Sequence, residues 1–275
     1  MSENPYPEMA IAGSGAIATG LASLASVSSG TVWLLARSAR SAEAAMAGVA
    51  QSCDRIEGAD VSRVRATTDP GDVGDSGLVV EAIIEDLDAK TTLLATAGAA
   101  APGADLATTT SSLSVAGLGL ASGHERRLFG LHVFNPVPVM NLVELCLPDS
   151  LDDEVAGRAL DWCARIGKTA VEVPDTPGFV VNRLLFPYLF DAVRLQERTA
   201  MPAADVDTCM TLGVAHPLGP LALLDLIGLD VALAIGDALH ADSGNSDHQP
   251  PAVIAEKIAA GDLGRKSGRG FYDYD

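Results

Sequence analysis

Positive charge is scarce in this sequence. Only 18 Lys and Arg stand against 36 Asp and Glu, a formal charge of −18 over 275 residues. So acidic a chain is poorly suited to nonspecific binding of nucleic acid or anionic membranes, although a few local bases suffice to hold one phosphate. Cysteine is sparse too. Cys53, Cys146, Cys163 and Cys209 show neither a metal-ligand spacing nor a secreted disulfide framework, and a cytoplasmic setting is expected. The opening MSENPYPEMA lacks the basic flank of a signal peptide. No apolar run reaches the roughly 20 residues of a membrane span. There is no G-x-S-x-G nucleophile elbow, no evident internal repeat and no expected metal site.

What is present is a folded-protein composition, 48% apolar and 20% charged, long enough for one large domain or two ordinary ones. MAIAG (Met9 to Gly13) reads as a buried strand, GSGAIA as a turn, and the Ala- and Leu-rich segment to about Val27 as a helix. TVWLLA (Thr31 to Ala36) is the next strand. This order opens a parallel sheet. SAEAAMAGVAQSCDRI, DLDAKTTLLATAGAA and DDEVAGRALDWCARIG read as helices. GLVVEAI, DLATTT, RLFGLHVF, LVELCLP and TAVEVP read as strands, with RVRATTD leading to the edge of another unit. After Pro174 the pattern changes to four helical candidates, Val180 to Glu197, Ala203 to Leu212, Pro220 to Ala241 and Pro251 to Ala260, without a strand. SGNSDHQP reads as a surface loop. The expected architecture is an α/β Rossmann-like dinucleotide-binding domain, residues 1–176, followed by an all-helical domain, residues 177–275. They divide near DTPGF, where Pro177 and Gly178 suit a turn into a helix.

Gly13-Ser14-Gly15-Ala16-Ile17-Ala18 is a G-x-G-x-x-A element. Gly13 permits the tight turn, Gly15 lets backbone approach a pyrophosphate, and Ala18 keeps the helix close to the sheet. Helix amides at Ala16 and Ile17 then face the phosphate charge. Alone the motif is weak; its place after a buried strand strengthens it. About twenty residues later an Asp or Glu is expected to hold a ribose, but the strand ends at Ala36 and runs into Arg37, Ser38 and Arg40. The carboxylate that would repel a 2′-phosphate is missing, and a guanidinium and a hydroxyl that can bind one are present. NADP is therefore expected in preference to NAD. The alternative is that both arginines point into solvent.

The stretch GLHVFNPVPVMNLVE holds His132, Asn135 and Glu144. His132 can take a proton from an alcohol and return it, with Glu144 fixing its tautomer; a structural histidine is the equal alternative. In TTTSSL, Ser111 can hold a substrate oxygen, although composition favours a helix cap. Asn182, in GFVVNRLLFPYL, faces either a pocket or an interhelical bond.

Taken with VVEAIIEDL, TSSL, DTPGFVVNRLLFPYL, HPLGPLALLDLIGLD and GRKSGRGFYDYD, these residues show that the chain resembles the 3-hydroxyacyl-CoA dehydrogenase family, in particular its bacterial 3-hydroxybutyryl-CoA type, nearly end to end. FNPVPVM and DTPGFVVNR are more specific than the glycine turn. The resemblance implies His132 as general base, Glu144 as its acidic partner, and Ser111 and Asn182 as substrate-contacting, activity-supporting groups. It also places Glu85, Lys90 and Asn135 along the nicotinamide and substrate cleft, and implies a homodimer formed mainly through the helical domain. Two departures stand out. Thr109 replaces the asparagine of the family's S-N-T-S-S-L. The segment between Arg40 and Thr67 is shorter than the family's helical hairpin, holding only Arg55, Arg63 and Arg65 where lysines lie near the CoA phosphate. The expected substrate is a 3-hydroxyacyl or 3-oxoacyl thioester, a short-chain CoA ester above all. The alternatives are an acyl group on an acyl carrier protein, a non-CoA hydroxy substrate, or a non-catalytic structural relative.

Overall fold

The computed structural model describes residues 3–274; the first two residues and the last one of the ranges expected above lie outside it. The described chain forms two compact units, divided in sequence between Thr176 and Pro177.

The first unit is a doubly wound α/β layer structure. Its strands are β1 (Glu8–Ala12), β2 (Thr31–Leu35), β3 (Val64–Thr67), β4 (Leu78–Glu81), β5 (Asp105–Thr108), β6 (Leu128–Val133), β7 (Leu142–Cys146) and β8 (Thr169–Val173). They lie in one sheet in the order β3-β2-β1-β4-β5-β6-β7-β8. All neighbours are parallel except β6 and β7. The central strands, such as β4 (LVVE) and β5 (DLAT), are buried along their whole length, as parallel strands covered on both faces must be. The helices are α1 (Ala16–Ser28), α2 (Ala39–Cys53), α3 (Leu87–Ala100), α4 (Val115–Ser122) and α5 (Asp153–Arg165). Leu21, Ala22 and Ala25 of α1 pack on Met9, Ile11, Val32, Leu34, Leu78 and Val80. Small residues let this helix come close.

RVRATTD is more than the approach to another unit: its middle, Val64–Thr67, is β3, paired with β2 at the sheet edge. Helix α4 has no counterpart among the expected elements. Its sequence, VAGLGLAS, is apolar on every side and carries two glycines, so it shows no 3.6-residue stripe. Its start is marked instead by Ser114, whose hydroxyl accepts from Gly117 N.

The second unit consists of α6 (Val181–Thr199), α7 (Ala203–Gly213), α8 (Pro220–Ile227), α9 (Leu229–Ser243) and α10 (Ala252–Ala259), with only isolated bridges near its end. Phe186, Leu189, Phe190 and Val193 of α6 pack with Leu221, Leu224, Leu239 and Ile254. The single helix expected from Pro220 to Ala241 is two. Gly228, at φ 102° and ψ 130°, breaks the helical backbone between them. Asp207 accepts from Leu221 N and Ala222 N at the start of α8, and Asp225 accepts from Phe271 N and Tyr272 N, fixing the last turn of chain. SGNSDHQP is mostly exposed, but His248 within it is buried and bonded to Ser243.

Candidate active site

Strand β1 delivers the chain to Gly13, whose φ is 147° and whose N–H donates to Leu35 O. A Cβ there would lie 2.2 Å from Ala82 O, so the turn needs glycine because of the neighbouring strand. Gly15 needs it for a different reason. Around a Cβ added at Gly15 there is nothing within 4 Å, so any side chain would project into open space. Gly15 is the N-cap of α1 and supplies no side-chain cap, leaving that helix end to an outside acceptor.

The open space is a cleft of about 890 Å³ within the first unit. Gly13, Gly15, Ala16 and Ile17 form its floor, and Ala36, Arg37, Thr109 and Asn135 are among its other lining groups. Among the described residues no acidic side chain lines it. Ala18, Ser38, Glu85 and Lys90, also expected at the cofactor, do not line it. Ala18 is fully buried beneath the turn. Ser38 is the N-cap of α2, locked in a reciprocal capping box with Ser41. Arg40, in the first turn of that helix, lines an adjoining hollow that shares Thr68 with the cleft.

Glu85 and Lys90 also differ from simple lining groups. Lys90 is fully buried. Its ammonium donates to both oxygens of Glu81, at 2.8 and 3.0 Å, and lies 3.3 Å from Glu85. Glu85 in turn accepts from Thr110 Oγ1 and Ser112 Oγ and from the backbone N–H groups of Ser111 and Ser112, all at 2.7 to 2.8 Å. Burial opposes ionisation of Glu85, but the Lys90 charge and these donors outweigh it and hold the carboxyl below its usual range. The hydroxyl run is thus a turn wrapped around a carboxylate. Ser114, not Ser111, caps the following helix. Asp175 closes that helix end from outside, accepting from Ser114 Oγ, Val115 N and Ala116 N.

His132 and Glu144 face each other across the antiparallel β6–β7 pair. Nδ1 of His132 lies 2.6 Å from Glu144 Oε2, and both side chains are buried. With Glu144 ionised, Nδ1 carries the proton and donates it to the carboxylate. Acid–base chemistry then falls to Nε2. Phe134 packs edge-on against the imidazole, ring centres 4.7 Å apart. Cys146 and Cys163 are no rivals as nucleophiles: burial, aided by the Asp175 charge, pushes Cys146 up to about 12, and burial alone does the same to Cys163. Among the described residues no group of three His, Cys, Asp or Glu is arranged to hold a metal ion.

Within the first unit the structure gathers Gly13, Gly15, Ala16, Ile17, Arg37 and Asn135 on one cleft, His132 with Glu144, and Ser111 with Glu85 and Lys90. Asn182 belongs to the second unit. It lies in the first turn of α6, 8% exposed, and its amide makes no hydrogen bond among the described residues, so the interhelical bond is not formed. Sequence reasoning passed over Glu81, Lys168 and Asp175 as functional groups. The one available signal was a charge inside or beside an apolar strand.

The description "3-hydroxyacyl-CoA dehydrogenase, NAD binding domain" matches residues 8–176, and "3-hydroxyacyl-CoA dehydrogenase, C-terminal domain" matches residues 178–274. A probable 3-hydroxybutyryl-CoA dehydrogenase of Deinococcus radiodurans is 42% identical over 216 residues, 78% of this chain and 77% of the relative. Among solved structures, FadB2 of Mycobacterium tuberculosis superposes with a TM-score of 0.94 at 34% identity, covering 98% of this chain and 99% of the other. The (S)-3-hydroxybutyryl-CoA dehydrogenase PaaH1 of Ralstonia eutropha gives 0.91 at 33%, with the same coverage.

Proposed function

The chain belongs to the 3-hydroxyacyl-CoA dehydrogenase family, and from that premise we propose how its residues share the reaction. It is an oxidoreductase that interconverts 3-hydroxyacyl and 3-oxoacyl CoA esters with a nicotinamide cofactor. The observation that carries the division of labour is the 2.6 Å bond between His132 and Glu144, in the same unit as a glycine-floored cleft. A nicotinamide held on this cleft would supply the hydride acceptor, or in reverse the donor, for C3 of the hydroxyacyl chain. His132 Nε2 removes the alcohol proton in oxidation and returns one in reduction. Glu144 holds the ring in the required tautomer and supports the imidazolium. Ser111, set by Glu85, contacts the substrate oxygen. Asn135 lines the cofactor space, Lys90 acts through Glu85, and Asn182 supports activity from the helical unit. Gly15 and the uncapped start of α1 fit a pyrophosphate, since both offer backbone donors with no side chain in front.

The finer cofactor reading is NADP rather than NAD. Ala36 stands where a ribose-binding carboxylate would be, and the cleft lining is free of acid although the chain is strongly acidic. Arg37 and Arg40 are exposed, the first lining the cleft and the second the adjoining hollow. Ser38 Oγ already accepts from Ser41 N, so the phosphate falls chiefly to the two guanidinium groups. The test is absorbance at the nicotinamide band with acetoacetyl-CoA, run with NADPH and NADH. A higher kcat/KM with NADPH is expected. Arg37→Ala should then raise the KM for NADPH about tenfold, the worth of a charge-assisted hydrogen bond, and leave that for NADH nearly unchanged. A higher kcat/KM with NADH refutes the NADP assignment; no turnover with either refutes the thioester substrate.

The chain acts as a homodimer through its helical unit. Leu184, Leu212, Val214 and Leu226 leave apolar surface exposed there, Leu212 at 82%. Leu221 and Leu224 of LALLDLI are internal, so Leu226 is the part of that motif left for an interface. No described helix is long and apolar enough to cross a membrane. Four free cysteines accord with a cytoplasmic place of action.

A further inference from the structure

Lys168 stands one residue ahead of β8 and is 8% exposed. Among the described residues no carboxylate pairs with it; both of its hydrogen bonds go to backbone. Burial lowers its pKa from the ordinary lysine value. A buried lone ammonium is unfavourable unless other acceptors replace its water. Here they do. Nζ donates to Val137 O and Met140 O, each at 2.6 Å.

Those two carbonyls belong to the loop between β6 and β7. Val139 N and Met140 N both donate to Pro136 O, folding the loop into a tight turn. Carbonyl oxygens converging on one point repel each other unless a cation sits between them. A methylene chain alone would fill the same space without ordering them. On its other flank the loop packs on α1, where a Cβ added at Gly20 would lie 2.8 Å from Val137 Cβ. At its end Asn141 O accepts from Thr169 N. The loop begins just past His132 and carries Asn135 into the wall of the glycine-floored cleft.

We propose that Lys168 is a positioning residue for the cofactor, its ammonium tying down the β6–β7 loop so that Asn135 is held in the cleft wall. This rests on the reading that the cleft takes the nicotinamide dinucleotide. The histidine pair does not depend on Lys168, because the β6–β7 backbone register fixes it. Loss of the ammonium therefore acts on cofactor binding and not on proton transfer.

The test uses the full chain with NADPH and NADH as probes. Lys168→Ala should raise the KM for the preferred cofactor about tenfold. It should lower kcat much less and leave the acid limb of the pH–rate profile in place. Propylammonium in the assay should restore the KM; tetramethylammonium, a cation without N–H, should not. Lys168→Met keeps the stem without the charge and should show the same KM rise. An unchanged KM, equal loss in kcat, lack of rescue by propylammonium, or failure of both variants to fold overturns the proposal. Gly15→Val separates the premise. If it binds both cofactors like the native chain, the cleft reading has failed; if it loses them while Lys168→Ala binds normally, only the role of Lys168 has.

Discussion

His132 and Glu144 meet through one short bond in the dry interior of a sheet. Replacing His132 by alanine removes the only proposed proton carrier and leaves the glycine turn intact. Turnover should fall by about 10²- to 10⁴-fold, the worth of general acid–base catalysis, with cofactor binding retained; stopped-time assays and fluorescence titration of the reduced cofactor measure both. Glu144→Gln should also slow turnover strongly and shift the pH–rate profile, since an amide neither fixes the tautomer nor supports the imidazolium. Native rate and profile in that variant would reduce Glu144 to packing. Glu85 makes a different demand on pH. Its folded value is lowered from 4.5, so its ionised form favours the folded state at neutral pH. That contribution fades as pH falls from 4.5 through the lowered value. Urea midpoints taken between about pH 5 and 3 should drop more steeply in the native chain than in Glu85→Gln. Equal slopes would show that the carboxylate does not bind its turn as described.

Periodicity and turn chemistry made most elements readable. Apolar runs of about five residues between glycine- and proline-rich joints became β1, β2, β4 and β6, and GSGAIA became the start of α1. Elements without a stripe were harder. VAGLGLAS gives no face to a helix, and its cap, Ser114, stands last in a hydroxyl-rich run that gives no reason to choose it over its neighbours. LIGLDVA reads through as one helix because a single glycine is tolerated in helical sequence, at a cost of about 1 kcal/mol. Its backbone angles, not its identity, make the break. Gly228→Ala should therefore destabilise the chain by about 1 kcal/mol or more, since φ 102° suits no side chain. A urea midpoint equal to the native one would mean that the joint relaxes. The site was legible where a residue type has few uses, as with His132 beside a proline-rich loop. It was illegible where a common residue acts through others, as with Lys90 and Lys168, whose partners come from distant strands and loops.

At the scale of the molecule the two units answer to different signals. The first was announced by alternation of strand and helix, and the second by the loss of strands after Pro174. Neither signal gives an assembly state. The exposed leucines of the helical unit support the proposed dimer, for which sedimentation at micromolar concentration should give twice the chain mass of 28.2 kDa. A stable monomer refutes the dimer. Leu212→Glu should produce that monomer without unfolding it, as the residue is 82% exposed within the chain.

The reversal between β6 and β7 has a consequence in time. Twelve positions separate His132 from Glu144, whereas β1 must wait for β4 before Gly13 has Ala82 to lean on. Contacts close in sequence need little loop closure and form early. During synthesis both partners of the pair leave the ribosome nearly together, before α5, β8 or any of the helical unit exists. The proposed acid–base pair therefore sits on strands that are consecutive in sequence and joined by a short loop, whereas the turn at Gly13 depends on strands far apart in sequence.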